Sequence, residues 1–354
     1  GQRCHCMGLK ALYKGVIRFT NVQVPRANIL LAEGQGLRVA LTTLATGRLT
    51  LPAACTGLAK RCLKISRGWA GERVQWGAPI GRHAAIADKL AQMAADAFAM
   101  EAMTLLAASR VDRDKHADVR LEAAICKLWA TEATWRIVND AMQIRGGRGY
   151  ETAASLKSRG EPGIALERML RDCRINTIFE GSSEIMRLFI AREALDTHLK
   201  IGGDVMNSKL PLSARLKAAT RAVWFYLRWY PKQLLPREWF TIHGTMPWVL
   251  ERHLRYAARG SRRLARAIFH AMLRHGPKLE REQLQLGRFV DIGTELFALT
   301  SVCLRAKVQL KNGAKENSEE FRRLVDYFCQ SSRLRIEAAF HGIHQNAARA
   351  GFKV

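Results

Sequence analysis

The chain has 354 residues, 48% of them apolar and 25% charged, which excludes a disordered or low-complexity protein and allows two or three domains. Its formal net charge of +26 favours a polyanionic partner, such as nucleic acid, anionic lipid or a phosphorylated ligand. The eight cysteines lack paired spacing, so we expect reduced thiols in a cytoplasmic or mitochondrial-matrix type of compartment.

The first thirty residues differ in pattern from those that follow. Residues 16–24 are largely β-branched or apolar, which predicts a strand that Pro25 ends. From about residue 34, apolar residues recur at steps of three and four, the pattern of helices in a bundle. Three such stripes comprise Leu37, Leu41 and Leu44; Ile86, Leu90, Met93, Ala97 and Met100; and Leu121, Ile125, Leu128, Trp135 and Met142.

A fourth helix is predicted over Glu184–Leu199, with Ser182 or Ser183 as its N-cap. The glycines at 202 and 203 interrupt the helical pattern, so we predict a domain boundary near residue 201. Beyond it the pattern predicts helices over Val249–Arg274 and Glu282–Leu310, a polar loop, and a last helix. The predicted domains are therefore residues 1–33, 34–200 and 201–354.

General motif searches favour neither a metal site nor a nucleic-acid interface. Cys4, His5 and Cys6 are not followed by a second ligand pair, and His341 and His344 lack a third ligand, so we predict no metal. The glycine cluster after residue 145 follows no strand and is not a dinucleotide fingerprint. Neither a helix-turn-helix nor an aromatic-rich sheet motif is present, so we expect no nucleic-acid partner.

Four polar strings occur where a plain helix bundle would not need them. They are Arg73–Gly77, Gln143–Tyr150, Glu167–Arg174 and Ile178–Glu184. In order and spacing these strings resemble the acyl-CoA dehydrogenase family, over about Met7–His198. The basic helical region that follows makes the chain most similar to the very-long-chain type of that family, which carries a C-terminal extension and sits on membranes.

The resemblance implies a mainly α fold. It would consist of the C-terminal four-helix bundle of the family, preceded by a remnant of the middle β domain and followed by an extra helical domain. The N-terminal part of the family fold would be missing, so we expect this chain alone to be inactive. The implied activity is FAD-dependent α,β-dehydrogenation of long-chain acyl-CoA thioesters in fatty acid β-oxidation, by a homodimer that passes electrons to electron-transfer flavoprotein.

Site residues carry over from the family position by position. Glu180 matches the catalytic base, which removes the α-proton while hydride passes to flavin N5. The matches to substrate-binding positions are Arg48, Phe179 and Gly181. The matches to FAD-binding positions are Arg73, Gln75, Trp76, Gln143, Gly146, Gly147, Ser182 and Glu184.

Structural interpretations stand beside these assignments. Glu180 could be a first-turn glutamate favoured by the helix dipole, Arg73 a solvated helix end, and Gly146 with Gly147 a simple helix stop. For the whole chain, the alternatives are a non-catalytic scaffold, an assembly paralogue, or a partial subunit of a split enzyme.

The basic extension has two interpretations, and the resemblance to the very-long-chain type favours contact with a membrane. Residues 221–248 include Trp224, Trp229, Trp239 and Trp248, and the next helix carries arginines at 252, 255, 259, 262 and 266. Region 221–274 could contact an anionic membrane peripherally, on the inner membrane face. Alternatively, its apolar side packs on the protein and its arginines meet acidic partners.

Overall fold

A computed structural model describes residues 1–206, 210–235, 246–311 and 318–344. The described chain is mainly helical, as predicted, and divides into two compact units, Gly1–Ser183 and Glu184–Val354. No helix in these described ranges is both long and apolar enough to cross a membrane.

The N-terminal segment forms only a short hairpin. Gln2–Arg3 (β1) pairs antiparallel with Gly15–Val16 (β2). The strand predicted over residues 16–24 is therefore wrong beyond Val16. Within the described part of the chain, residues 17–24 have no neighbouring strand to satisfy their backbone groups, and Ile17 and Phe19 are exposed.

Three long helices form the body of the first unit: α1 (Gly36–Glu72), α2 (Ala84–Arg113) and α3 (Arg120–Arg145). Helix α1 packs against both α2 and α3, and many of the buried side chains are alanines, which let the helices approach closely. The stripe predicted at the start of α1 is not core, because Leu37 and Leu41 are exposed. The buried side of α1 begins only near Pro52 and Cys55.

A tight hairpin joins α1 to α2. Strands Val74–Gln75 (β3) and Ala78–Pro79 (β4) flank the turn residues Trp76 and Gly77, whose φ angles are +49° and +75°. Two positive φ angles in succession match the twist of the strands, as in the common two-residue hairpin turns. Trp76 is thereby placed at the tip of the hairpin.

After α3 the chain makes three short helices and a 3₁₀ turn. These are α4 (Gly147–Tyr150), α5 (Ala153–Ser158), α6 (Leu166–Cys173) and the 3₁₀ turn Arg174–Thr177. Helix α6 anchors the N-terminal segment: Arg171 donates to the Met7 carbonyl at 3.0 Å, and Asp172 accepts from the Leu9 N–H at 2.6 Å.

The next helix, α7 (Ser183–Met206), spans the boundary between the units. It includes Gly202 and Gly203, which the sequence pattern had predicted to interrupt it. The predicted helix end at Leu199 is therefore wrong, and the domain boundary predicted near residue 201 falls inside a continuous helix. Single glycines weaken a helix by only about 1 kcal/mol each, too little to end it where other residues favour helix.

The rest of the second unit follows the predicted helices closely. It contains α8 (Leu212–Lys232), α9 (Trp248–His275), a 3₁₀ turn over Gly276–Arg281, α10 (Gln283–Lys311) and α11 (Ser318–His344). Helix α10 packs against α9 and α11, and its buried Glu295 binds Arg335 and Ser332 of α11.

Several arginines of the stripe on α9 bind groups within the second unit itself. Arg252 pairs with Asp326 of α11 at 3.4 Å, and Arg255 pairs with Glu251 at 3.2 Å. Arg266 donates to the Gln233 carbonyl. These contacts favour the intramolecular interpretation for α9. Trp239, one of the four tryptophans in the prediction, lies outside the described residues.

Candidate active site

The loop that carries Glu180 has an unusual backbone. It lies between the 3₁₀ turn Arg174–Thr177 and α7, and its Glu180 and Gly181 have φ angles of +57° and +102°. Glycine adopts such angles freely, whereas a left-handed conformation costs another residue about 1–2 kcal/mol. Because α7 begins at Ser183, Glu180 is not a first-turn residue, and Glu184 occupies that position instead.

The Glu180 carboxylate lies directly on the backbone of α1. A Cβ atom built at Gly47 would be 2.6 Å from Oε1 and 2.8 Å from Oε2, closer than real contacts allow. The absence of a side chain at position 47 is therefore what admits this carboxylate. Its Oε2 atom is buried and has no hydrogen-bond partner among the described residues.

Two cations hold consecutive carbonyl groups of this loop. Arg48 of α1 donates through Nε to the Glu180 carbonyl at 3.1 Å, and Lys127 of α3 donates through Nζ to the Gly181 carbonyl at 2.7 Å. Burial lowers the pKa of both cations, while the charge of Glu180 opposes that shift. The site thus combines one carboxylate with two partly desolvated cations.

Lys127 is the functional candidate that the sequence interpretation missed. Its side chain is 0% exposed, which is unusual for a residue that carries an ammonium group. The available signal was a single lysine within the otherwise apolar and small run 123–131 of α3. Periodicity alone does not show which face of that run is buried.

Six of the eight predicted FAD-binding residues gather at the other end of the bundle. Arg73 follows the last turn of α1 and Gln143 lies in the last turn of α3, both exposed. The two helix ends are neighbours, because the Arg145 guanidinium lies 4.9 Å from the centre of the Trp69 ring. Trp76 is 91% exposed and meets His83 edge-on at 5.7 Å.

The glycines of this second cluster leave the backbone open. Gly146 has φ +60° and ψ −140°, a conformation reserved for glycine, and it ends α3. A Cβ atom at Gly146 or Gly147 would meet nothing within 4 Å. Internal packing therefore does not explain these glycines, although the backbone angles explain the first.

The structure thus separates the predicted residues into two groups. Arg48 and Gly181 meet at Glu180, with half-buried Phe179 and Ser182 in the same loop and exposed Glu184 just after it. Arg73, Gln75, Trp76, Gln143, Gly146 and Gly147 lie at the opposite end. Arg48 and Arg73 are 25 residues apart along α1, or about 37 Å at 1.5 Å per residue.

Residues 34–195 match the family profile described as the C-terminal domain of acyl-CoA dehydrogenase. Residues 250–354 match the profile of the ACAD9/ACADV C-terminal domain. The chain belongs to the acyl-CoA dehydrogenase family. The resemblance carried by the four polar strings is confirmed.

Named relatives extend this assignment along nearly the whole chain. The probable acyl-CoA dehydrogenase FadE10 of Mycobacterium tuberculosis (strain ATCC 25618 / H37Rv) is 46% identical over 340 residues, which cover 96% of this chain and 52% of the relative. The human mitochondrial very long-chain specific acyl-CoA dehydrogenase is 30% identical over 335 residues. These residues cover 93% of this chain and 48% of the human protein. The chain therefore spans about half the length of these acyl-CoA dehydrogenases.

Solved structures of the family share the fold. An acyl-CoA dehydrogenase from Bacillus anthracis, complexed with FAD, superposes with a TM-score of 0.74 at 27% identity, covering 96% of this chain and 55% of that one. Butyryl-CoA dehydrogenase from Megasphaera elsdenii gives a TM-score of 0.50 at 29% identity. The match covers 55% of this chain and 48% of the butyryl-CoA dehydrogenase chain. The mainly α fold class predicted from sequence is confirmed.

Proposed function

We propose that this chain supplies the catalytic base and a cofactor-binding surface of an FAD-dependent acyl-CoA dehydrogenase. Glu180 would remove the α-proton of an acyl-CoA thioester. The observation that supports this role is its buried Oε2 atom, which no described residue binds and which can therefore accept a proton. Arg48 and Gly47 support it further, because they fix the backbone and the carboxylate of the base.

The second cluster has the chemistry needed to hold FAD. Arg73 offers a guanidinium with no partner among the described residues, suited to a pyrophosphate, and Gln143 offers an exposed amide. Gly146 and Gly147 give a phosphate close access to the backbone, and the Trp76 ring gives an aromatic surface. FAD, when bound, supplies the acceptor for the hydride that leaves the β-carbon.

The separation of the clusters supports a homodimer. Arg73 lies about 37 Å along α1 from Arg48, which binds the Glu180 loop of the same chain. We propose that Arg73 and Trp76 serve the cofactor of a second copy. Co-expression of Glu180→Gln with Arg73→Ala tests this, because a mixed dimer would contain one site with both residues intact. Recovery of activity is expected, and two variants that stay inactive together would contradict the proposal.

The test of the base itself is anaerobic flavin reduction by acyl-CoA in the FAD-loaded enzyme that combines this chain with the rest of the family fold. Glu180→Gln keeps the shape of the side chain and loses its basicity, so we expect the reduction rate to fall roughly 10²- to 10⁴-fold. Flavin content and acyl-CoA binding should stay unchanged in this variant. A reduction rate near that of the unaltered protein would exclude Glu180 as the base.

Substrate length and electron acceptor are further parts of this proposal. The 30% identity to the human very long-chain specific acyl-CoA dehydrogenase supports long-chain acyl-CoA thioesters as substrates. Comparison of kcat/KM from butyryl-CoA to stearoyl-CoA tests that preference, and a maximum at butyryl-CoA would contradict it. We further propose electron-transfer flavoprotein as the electron acceptor of the enzyme; the reduction of this partner is followed by its own absorbance.

A peripheral membrane contact is proposed for α8 rather than for α9. Exposed apolar side chains follow one another along α8 at helical spacing: Leu212, Leu216, Val223, Trp224 and Leu227. The helix carries five cations and no acidic residue. Each cation near an anionic surface contributes about 1 kcal/mol, and the apolar stripe can enter the headgroup region.

Liposome co-sedimentation tests this contact. Binding should increase with the fraction of anionic lipid and decrease with added salt. The paired change Leu216→Glu and Leu227→Glu should abolish it, whereas Arg259→Gln on α9 serves as the matched control and should retain it. Binding that survives the α8 change would exclude this helix as the contact.

A further inference from the structure

Lys127 occupies a place where helix packing does not require a charge. Its side chain is fully buried in α3, within the run 123–131, whose other residues are small or apolar. Its ammonium donates to the Gly181 carbonyl at 2.7 Å. The charged or titratable groups that act on it are Glu180 of the loop, Arg48 and Cys55 of α1, and Glu132 of α3 itself.

Burial of an ammonium group is unfavourable unless the group is paired. An apolar side chain of similar length often packs at such a position with equal or greater stability. The energetic reason for a lysine at this point therefore lies in what its ammonium binds. That partner is the carbonyl of the residue that follows Glu180.

The loop itself needs an external constraint. Glu180 has a positive φ that is unfavourable for a glutamate, and such conformations persist only where the surroundings fix them. Arg48 holds the carbonyl of Glu180 from α1, and Lys127 holds the next carbonyl from α3. Two helices of the bundle thus fix two consecutive peptide groups.

We propose that Lys127 is a positioning residue for the base loop, acting through the Gly181 carbonyl to keep Glu180 in its left-handed conformation above Gly47. This inference rests on the proposed role of Glu180 as the base. Lys127 does not take up or release a proton in the reaction. Its contribution is to hold the peptide that follows the base while the carboxylate faces substrate.

Hydrogen exchange of the chain itself gives the first test. Lys127→Met removes the donor while keeping a long side chain. Peptides covering residues 176–183 should then exchange about tenfold faster or more. Cys126→Ala is the matched control, because Cys126 is the buried neighbour in α3 and donates to the Met103 carbonyl instead. Unchanged loop exchange in Lys127→Met would overturn the proposal.

Flavin reduction in the FAD-loaded protein gives the second test. Lys127→Met should lower kcat about tenfold or more, with KM for acyl-CoA changed less than about threefold, because a displaced base slows proton removal. Cys126→Ala should retain kcat. A normal kcat in Lys127→Met would overturn the positioning role even if the loop exchanges faster.

The two tests separate this inference from the proposed function. If the FAD-loaded enzyme that combines this chain with the rest of the family fold does not reduce flavin, the proposed function fails, while loop exchange still decides whether Lys127 fixes residues 180 and 181. If Lys127→Met does not fold, Lys127→Gln keeps a donor on a shorter side chain. It should show faster loop exchange than the unaltered chain, and equal exchange would count against the proposal.

Discussion

Replacement of Gly47 by alanine is expected to separate the stability of the chain from its activity. Gly47 lies inside α1, where alanine is a better helix former by about 1 kcal/mol. The added Cβ would nevertheless lie 2.6 Å from Oε1 of Glu180. The same methyl group therefore favours the helix and displaces the proposed base.

The size of the displacement follows from the contact distance. Ordinary contacts of a Cβ atom begin at 3.4 Å, so Oε1 must move by at least about 0.8 Å. The carboxylate is the end of a flexible side chain and can move without unfolding the loop. A misplacement of about 1 Å in a reacting group can slow a reaction about 10²-fold. We expect Gly47→Ala to be as stable as the unaltered chain or more stable, and about 10²-fold slower.

Urea unfolding measures the first quantity and anaerobic flavin reduction by acyl-CoA measures the second. Gly57→Ala is the matched control, because Gly57 lies in the same helix and a Cβ there would meet nothing within 4 Å. It should gain the same helix stability and keep full activity. A Gly47→Ala protein that reduces flavin within about threefold of the control rate would refute the reasoning.

Three further outcomes are expected. Thiol titration of the native chain should rapidly modify two cysteines, the exposed Cys4 and Cys6, and should modify all eight only in denaturant. Rapid reaction of more than two thiols would contradict the burial of the other six cysteines. Burial lowers the pKa of His253, so as the pH falls the unfolded state binds a proton at this histidine before the folded state does. The free energy of unfolding should therefore decrease between neutral pH and about pH 5.5, and His253→Gln should make this decrease smaller. Because Trp76 is exposed, Trp76→Ala should leave the melting temperature unchanged and lower the flavin content of the purified protein, and equal flavin content would argue against its role.

Helix spacing predicted the interior of this fold well and its edges poorly. The stripe at Met93, Ala97 and Met100 is fully buried, because periodicity reflects a continuous contact along two neighbouring helices. The same pattern failed at Leu37 and Leu41, whose side chains are exposed. A local pattern shows which residues share a face and does not show how far the neighbouring helix extends.

The candidate site shows the same division between local and long-range information. The string around Glu180 is contiguous, so the family resemblance identified it directly. Gly47 and Lys127 are 133 and 53 residues away in sequence from Glu180, and only the packing of α1 and α3 brings them to the loop. Arg48 was predicted by its match to a family position. Its bond to the Glu180 carbonyl is long-range and was visible only in the structure.

Three departures from local preference meet at this loop. A glycine stands inside a helix at position 47, a lysine stands in the core at 127, and a glutamate adopts a left-handed backbone at 180. Each is unfavourable alone: about 1 kcal/mol for the glycine against alanine, and about 1–2 kcal/mol for the left-handed glutamate. The contacts among these residues explain them. The glycine at 47 leaves room for the Glu180 carboxylate, and the buried Lys127 binds the peptide that follows Glu180. Several residues that depart from local preference at one place are typical of a functional site, where a required geometry is kept at some cost in folding stability.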